Sequence, residues 1–281
     1  MSIIVLAHGL FGFGDLFPSF SFVSYFNGVR RALESKGHSV IVPTVNPVGS
    51  IEQRGAQLAE QILDDPKAGT GMHILAHSMG GLDARQALHT NGVLSSRVAT
   101  LVTIGTPHGG SPVADAFENP TDPLRAQIPS FIMKQLNEHA GAVHNLTTDF
   151  CKQFNEDTPD VKDKPGVHIQ YFEIAGNALQ DGSELLLFDL ATAIGKIKGP
   201  NDGVVTAESA QRPGRKLLDV WKLDHAGEIG WSKALLNVSN PFNVLDPLKK
   251  VEAFVLDPFK EVEAFKEHLA RYNALVEHIT A

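Results

Sequence analysis

The chain has 281 residues with a formal net charge of −8, and hydrophobic residues make up 43% of it. Such a chain suits one large α/β domain with a sizeable core. Acidic and basic residues are interspersed, which argues against nucleic acid as a partner because phosphate binding needs clustered lysines and arginines. The apolar runs fall short of the ~20 residues that cross a bilayer. Cys151 is the single cysteine, so no intrachain disulfide can form.

The first residues lead directly into an apolar strand and lack the basic region that opens a signal peptide. We therefore expect a soluble protein with no transmembrane segment and no signal peptide in this chain. This expectation fits a cytoplasmic protein, and equally one that is secreted by a leaderless route or after removal of a leader. The sequence leaves the compartment and the oligomeric state open.

Strand-like and helical patterns alternate through the first half of the chain. The predicted strands cover residues 3–7, 38–43, 72–76, 98–104, 167–175 and 217–223. The predicted helices cover residues 23–35, 50–63 and 82–88. In the second of these helices, Ser50 is the N-cap and Gln53 holds the capping-box position. The alternation predicts an α/β fold with a mostly parallel sheet and helices on both of its faces.

Residues 112–165 break the alternation, because they carry prolines and helical stretches but no clear strand. Lids over active sites are helical and lie outside the sheet. We therefore predict a single domain spanning residues 1–281, with a helical cap inserted at about 112–165. Its apolar side chains either line a surface for acyl chains or an oil–water interface, or pack within the cap. The candidate lining residues are Phe117, Phe131, Ile132, Met133 and Leu136, together with Phe11 before them in the chain.

Ser78 lies in the segment Ala-His-Ser-Met-Gly, directly after a predicted strand and directly before a predicted helix. This arrangement indicates a nucleophile elbow, the sharp turn that lifts a serine hydroxyl above the sheet of an α/β-hydrolase. Because the turn is so sharp, the residues at positions 76 and 80 must be small. Ala76 and Gly80 meet that requirement. The alternative is an ordinary strand-to-helix turn with a capping serine.

A serine nucleophile needs a histidine base and a carboxylate that orients the base. In α/β-hydrolases these residues follow the serine, with the acid before the histidine. His225 is the best candidate base, because it lies in a loop after the last predicted strand. Asp202 is the best candidate acid, because it lies in a tight turn before that histidine. Asp219 and Asp224 are too close to the strand of His225 to reach around it.

The oxyanion of an acyl-transfer intermediate needs two backbone N–H donors. Met79 follows the nucleophile and is expected to supply one of them. The second is expected from the glycine-containing loop after the first strand, with Leu10 as the donor and Phe11 as the fallback. His8 precedes this loop and is expected to order it by hydrogen bonding.

Taken together, these motifs resemble the bacterial true lipases of the Pseudomonas, Burkholderia and Proteus type, within the α/β-hydrolase superfamily. The matching segments are residues 5–10, 76–80, 103–111, 146–148, 154–155, 171–180 and 201–205, and the loop at His225. They run in order over nearly the whole chain. The resemblance implies a triad of Ser78, Asp202 and His225, with Leu10 and Met79 as oxyanion donors.

The chain departs from the family pattern at the elbow and at the calcium site that the resemblance implies. Ala76 and Met79 stand where glycine and glutamine are usual. Asp181 falls where one calcium ligand is expected, but Gly227 stands where the second carboxylate is expected. Calcium takes six to eight oxygens including carboxylates, so the site is expected to be incomplete. We expect no required cofactor.

The sequence as a whole predicts a serine carboxylic-ester hydrolase, and specifically a triacylglycerol lipase that forms an acyl-enzyme on Ser78. Its partner is an ester or lipid substrate at an oil–water interface. A short-chain carboxylesterase or a polyester hydrolase would use the same triad and differ in its pocket. A catalytically silent binding protein with the same fold is a more remote alternative.

A repeat lies near the C-terminus, where residues 244–254 are followed at once by the similar residues 255–265. Each copy has an aspartate N-cap followed by proline at the first helical position. The repeat indicates a duplicated helix start on the outside of the domain. The alternative is an element that binds a membrane surface or a partner.

Overall fold

In the part of the chain that is described, six parallel strands form the sheet of this computed structural model. In chain order they are β1 (Ile3–Ala7), β2 (Ser39–Ile41), β3 (Met72–His77), β4 (Val98–Ile104), β5 (Gln170–Gly176) and β6 (Lys216–Trp221). Their order across the sheet is β2-β1-β3-β4-β5-β6, and each neighbouring pair is parallel. The structure describes residues 1–10, 25–161, 168–180, 187–231 and 258–281. The predicted parallel α/β architecture is confirmed.

Apolar side chains alternate between the two faces of the sheet, and each face has its own core. Val5 and Ile74 lie in one apolar cluster with Leu58 and Ala84, which come from covering helices. The neighbouring Leu6 belongs to a second cluster on the opposite face. Successive strand residues point to opposite faces, so a strand buried on both faces must be apolar at almost every position. Every residue of β3 is buried accordingly.

Ten α-helices surround the sheet in the described part of the chain. They are α1 (Val29–Ser35), α2 (Ile51–Asp64), α3 (Met79–Thr90), α4 (Gly92–Arg97), α5 (Pro112–Glu118), α6 (Ser130–Glu138), α7 (Ala140–His144), α8 (Thr148–Asp157), α9 (Phe188–Lys198) and α10 (Pro258–Thr280). Short 3₁₀ turns occur at Pro123–Gln127, Ala178–Gln180 and Gly227–Ile229. The capping box of Ser50 and Gln53 at the start of α2 is confirmed.

The predicted start of the helix at residues 23–35 is wrong, because α1 begins at Val29. Gly28 precedes it with φ of 72°, a left-handed conformation that breaks the helix. A side chain there would also meet the ring of Phe265, since a Cβ atom would lie 2.7 Å from its Cζ atom. Residues 23 and 24 lie outside the described ranges.

Helices α5 to α8 connect β4 to β5, and their apolar side chains join one cluster above the sheet. This cluster contains Val113 and Leu136, together with Met79 and Leu82 from the start of α3 and Ile194 from α9. The connecting segment therefore packs against the helix that follows Ser78. Its role as a cap stays a prediction, and residues 162–167 at its end lie outside the described ranges.

Helix α10 packs against the second face of the sheet through Tyr272 and Val276. Most of the repeat at residues 244–265 lies outside the described ranges, and the part from residue 258 onward is helical. Val262, within the second copy, is exposed. Among the helices described, none is long and apolar enough to cross a membrane.

Candidate active site

Ser78 occupies the sharp turn between β3 and α3. Its backbone has φ of 57° and ψ of −133°, and it is the one non-glycine residue with positive φ in the described part of the chain. L-residues rarely adopt such a conformation, so the surrounding structure must hold it. The Ser78 N–H donates to the carbonyl of Ile104 at 2.9 Å, and Thr106 Oγ1 donates to the Ser78 carbonyl at 2.9 Å. These bonds hold the turn against its own strain.

Glycine is required next to the serine for steric reasons. A Cβ atom on Gly80 would lie 2.6 Å from the carbonyl oxygen of His8, and one on Gly81 would collide with Thr106. A Cβ atom on Gly9 would lie 2.7 Å from the Cβ atom of Ser78. The loop after β1 therefore runs directly beside the nucleophile, as the prediction of an oxyanion loop requires.

The three residues predicted as a triad come together in the structure. His225 Nε2 lies 2.8 Å from Ser78 Oγ, and His225 Nδ1 lies 2.8 Å from Asp202 Oδ2. The other carboxylate oxygen of Asp202 accepts from the N–H groups of Val204 at 2.8 Å and Val205 at 2.6 Å. A proton on Nδ1 is therefore directed to Asp202, which leaves Nε2 free to accept the serine proton.

The three residues of the triad differ in their exposure to solvent. The Asp202 side chain is buried, whereas 14% of the His225 side chain is exposed. The Ser78 residue is 7% exposed. A substrate can therefore reach the serine and the imidazole, while the carboxylate is kept from water, which strengthens its interaction with the ring.

A buried glutamate lies behind the histidine of the triad. Glu228 Oε2 lies 3.0 Å from His77 Nε2 and 3.6 Å from His225 Nδ1. Burial raises the pKa of Glu228 well above its usual range, and the nearby carboxylates of Asp202 and Asp224 add to the shift. Its Oε1 atom has no hydrogen-bond partner among the described residues. No motif or spacing in the sequence links Glu228 to His77 or to His225, so its place in the site could not be predicted.

The same cluster could suggest a metal site, because ligand atoms of His77, His225 and Glu228 lie within 4.8 Å of one another. However, both ring nitrogens of His225 are already hydrogen-bonded, one to Ser78 and the other to Asp202. His77 is hydrogen-bonded at Nδ1 to Tyr25 Oη at 2.7 Å and at Nε2 to Glu228 at 3.0 Å. The hydrogen bonds therefore fit a proton network rather than a metal ligand set.

Two glycines at the ends of β4 and β5 make room for the Glu228 carboxylate. A Cβ atom on Gly105 or on Gly176 would collide with this carboxylate. Gly105 also has φ of 53°. We expect Gly105→Ala to lower the free energy of unfolding by about 2–4 kcal/mol, from overpacking together with the positive φ. Denaturant unfolding monitored by tryptophan fluorescence measures this loss.

Gly214→Ala is the matched control for that change. Gly214 has φ of 75°, but no atom of the described residues, apart from its two chain neighbours, lies within 4 Å of where its Cβ atom would be. The control therefore reports the cost of the backbone conformation alone, about 1–2 kcal/mol. Equal losses in the two variants would contradict the close packing of Glu228 against β4.

The predicted oxyanion donors belong to the helix start after the serine and to the loop after β1. Met79 is the first residue of α3, so its N–H is one of the donors that a helix start leaves free. Leu10 ends the described part of the loop after β1, and Phe11 lies outside it.

His8 orders this loop, as predicted. Its Nδ1 donates to the Gly9 carbonyl at 2.9 Å, and its Nε2 accepts from the Val45 N–H at 3.2 Å. Burial, with a contribution from the Arg54 charge, lowers the pKa of His8 to about 4. The ring is therefore neutral, as the acceptor role of Nε2 requires.

The predicted lining residues of the cap lie at different depths. Leu136 is buried in the cluster above the sheet, and Phe117, Ile132 and Met133 are half-buried against it. The side chain of Phe131 lies outside the described part of the structure. The lining role of these residues stays a prediction.

Gly227 stands at the second ligand position of the calcium site that the family resemblance implies. Asp224 is the nearby carboxylate, and its oxygens accept from the N–H groups of Leu187 and Gly227, each at 2.7 Å. Burial raises the pKa of Asp224 to about 6. Asp181 lies outside the described residues. Asp224, the residue before His225, thus connects the loops at Leu187 and Gly227 through their backbone amides.

A parallel sheet with a strained serine at a strand–helix turn, followed in the chain by an aspartate and a histidine that reach it, defines an α/β-hydrolase. The family model of the PGAP1-like alpha/beta domain matches residues 57–158. The mature lipase BlEst2 of Bacillus licheniformis has a TM-score of 0.62 at 26% identity, over 80% of this chain and 85% of that protein.

Similar sequences indicate which α/β-hydrolases this chain is related to. Triacylglycerol lipase 2 of Saccharomyces cerevisiae is 30% identical over 220 residues, which span 76% of this chain but 64% of the yeast protein. The triacylglycerol lipase of Vibrio cholerae is 28% identical over 276 residues, which span 87% of this chain and 83% of that protein. The chain is a homologue of the triacylglycerol lipases, which confirms the resemblance predicted from its motifs.

Proposed function

We propose that this chain is a serine carboxylic-ester hydrolase, and specifically a triacylglycerol lipase. The observation that carries the proposal is the continuous hydrogen-bonded line from Ser78 Oγ through His225 to Asp202, with both links at 2.8 Å. The lipases among its sequence relatives and structural neighbours support the same activity.

The geometry supports an acyl-enzyme mechanism. Ser78 Oγ attacks the ester carbonyl while His225 Nε2 takes the hydroxyl proton, and Asp202 stabilises the imidazolium that forms. The N–H groups of Met79 and Leu10 stabilise the tetrahedral oxyanion. The imidazolium then gives its proton to the leaving alcohol, and an acyl ester remains on the serine. In the second half, a water molecule attacks the acyl carbonyl while His225 Nε2 takes its proton. The imidazolium then returns that proton to Ser78 Oγ as the acyl bond breaks and the fatty acid leaves.

The lipid nature of the substrate is supported by the apolar cluster above the serine. Met79 follows the nucleophile directly and shares this cluster with residues of α5 to α8. We take residues 112–165 as a cap over the site of a single domain, and an ester at an oil–water interface as the substrate. Phe117, Ile132 and Met133 are half-buried against this cluster, and apolar side chains of this kind suit long acyl chains.

Acyl chain length separates the lipase from its closest alternatives. We expect hydrolysis of C12 as well as C4 nitrophenyl esters, with a rise in rate once the long ester exceeds its solubility. Poor turnover of the long ester without such a rise would instead favour a short-chain carboxylesterase or a polyester hydrolase. A protein that a fluorophosphonate does not label at Ser78 would be the silent binding protein of the same fold.

We propose that the activity needs no bound calcium. Asp224 already joins the loops at Leu187 and Gly227 through backbone amides. We expect EDTA to change neither the melting temperature nor kcat, because no metal then links these loops. Melting and ester hydrolysis, each measured with EDTA and with added calcium, check this. A melting temperature that falls on chelation and returns with calcium would contradict it.

A further inference from the structure

Arg54 is a fully buried cation that joins three parts of the active-site framework. It lies on α2, and its Nε atom donates to Asp83 Oδ2 at 2.8 Å on α3, the helix that begins after the nucleophile. One terminal nitrogen donates to the carbonyl of Asn46 at 2.8 Å. The other donates to the carbonyls of His8 at 2.9 Å and Gly9 at 3.1 Å. The guanidinium therefore holds the loop after β1 by its carbonyl oxygens.

The bond to Gly9 has a geometric consequence for the next amide. The Gly9 carbonyl and the Leu10 N–H belong to one planar peptide group, and in a trans peptide they point in opposite directions. Arg54 and the His8 ring both donate to that carbonyl. Turning this peptide over would break both hydrogen bonds and leave a buried cation short of an acceptor. The Leu10 N–H is therefore held pointing away from Arg54.

The direction of the Leu10 N–H matters because the loop after β1 lies against the nucleophile, Ser78. A Cβ atom on Gly9 would be 2.7 Å from the Cβ atom of Ser78. An oxyanion donor must have its N–H aimed at the position the developing charge will occupy before the reaction begins. A peptide free to flip would offer a carbonyl oxygen there instead, which would repel the oxyanion.

An arginine at position 54 is better suited to holding the peptide between Gly9 and Leu10 than to forming a simple ion pair in the core. Burial of a charge is unfavourable unless the charge is paired and fully hydrogen-bonded. Burial raises the pKa of Asp83 to about 6 even though Arg54 opposes the shift, and the second carboxylate oxygen of Asp83 lacks a partner among the described residues. Arginine offers donors in a planar fork, whereas lysine offers a point charge that cannot serve the same set of acceptors.

We propose that Arg54 is a positioning residue that sets the Leu10 N–H as an oxyanion donor. The proposal rests on the proposed ester-hydrolase function. It places this arginine outside the proton-handling residues, so its removal should weaken binding of the transition state while substrate binding and proton transfer stay intact.

Arg54→Lys tests the proposal, with Arg212→Lys as the matched control. Arg212 is another buried arginine, bonded to Glu173 and Asp160 and not to the described residues of the loop after β1. For a soluble nitrophenyl ester, we expect Arg54→Lys to lower kcat by about 10²–10³-fold, the loss typical of one oxyanion donor. We expect KM to stay within about threefold, and affinity for an alkyl boronic acid, which forms a tetrahedral serine adduct, to fall with kcat.

The midpoint of the pH profile of kcat should stay where it is in the unaltered enzyme, because His225 and Asp202 are untouched. A merely structural role would instead give equal losses in the two lysine variants, or losses that follow their melting temperatures, and either result would overturn the proposal. If Arg54→Lys does not fold, Arg54→Gln is measured by the same criteria. An unaltered protein that hydrolyses no ester and takes no fluorophosphonate would overturn the proposed function itself, and this inference with it.

Discussion

Ser78→Ala is expected to lower kcat for ester hydrolysis by about 10⁶-fold, by analogy with the loss of the nucleophile from a serine protease triad. The physical reason is the absence of the Oγ atom that His225 Nε2 contacts at 2.8 Å, since no acyl-enzyme can form without it. Initial rates with a nitrophenyl ester measure the loss. Mass spectrometry after fluorophosphonate treatment should show an adduct on the unaltered protein and none on the variant.

Ser96→Ala is the control for the loss of the nucleophile. Ser96 is exposed on α4, where its hydroxyl donates to the carbonyl of Val93 at 2.8 Å. Its replacement should leave kcat unchanged. The free energy of unfolding of Ser78→Ala should lie within about 1 kcal/mol of the unaltered protein, because alanine keeps the backbone bonds of the turn. Residual activity of Ser78→Ala well above background would show that another residue acts as nucleophile.

Asp202→Asn is expected to lower kcat by about 10⁴-fold, as the corresponding change does in protease triads. One side-chain oxygen must keep accepting from the N–H groups of Val204 and Val205. The asparagine NH₂ group then faces His225 Nδ1 and donates to it. The ring is forced to carry its proton on Nε2, so it can no longer accept the proton of the serine.

The pH profile of kcat together with fluorophosphonate labelling rates measures this effect. Asp219→Asn is the control, because Asp219 lies on β6 and accepts from the N–H of Val220. It should retain full activity. Near-normal activity of Asp202→Asn would contradict its role and would assign the carboxylate to Glu228, which lies 3.6 Å from His225 Nδ1. That geometry makes Glu228 the alternative acid to examine first.

Local patterns were enough to predict the sheet and the triad. Strands buried on both faces leave continuous apolar runs, and the turn at Ser78 needs small neighbours, so both features are visible in short stretches of sequence. The chain order of acid and histidine then left few candidates for Asp202 and His225. Their convergence is confirmed by the hydrogen-bond distances, while their catalytic roles stay predictions.

The residues that support the triad and the loop after β1 could not be predicted from local sequence patterns. His77 and Glu228 are 151 positions apart in the chain, and no periodicity or spacing relates them. Arg54 looks like any polar residue of an amphipathic helix until the fold places it under the loop at Gly9. The predicted start of α1 is wrong as well, because the left-handed conformation of Gly28 and its position against Phe265 are seen only in the folded chain.

The placement of nucleophile and base on different strands limits how the chain can be re-engineered. Ser78 follows β3 whereas His225 follows β6, and β4 and β5 lie between them. Neighbouring strands are about 4.8 Å apart, so the connection carrying the imidazole must cover about 14 Å along the sheet edge. Deleting even one residue between Trp221 and His225 would shorten that reach and withdraw the ring from the hydroxyl. Insertions in the turn at residues 211–215, before β6 begins, would leave the span unaltered.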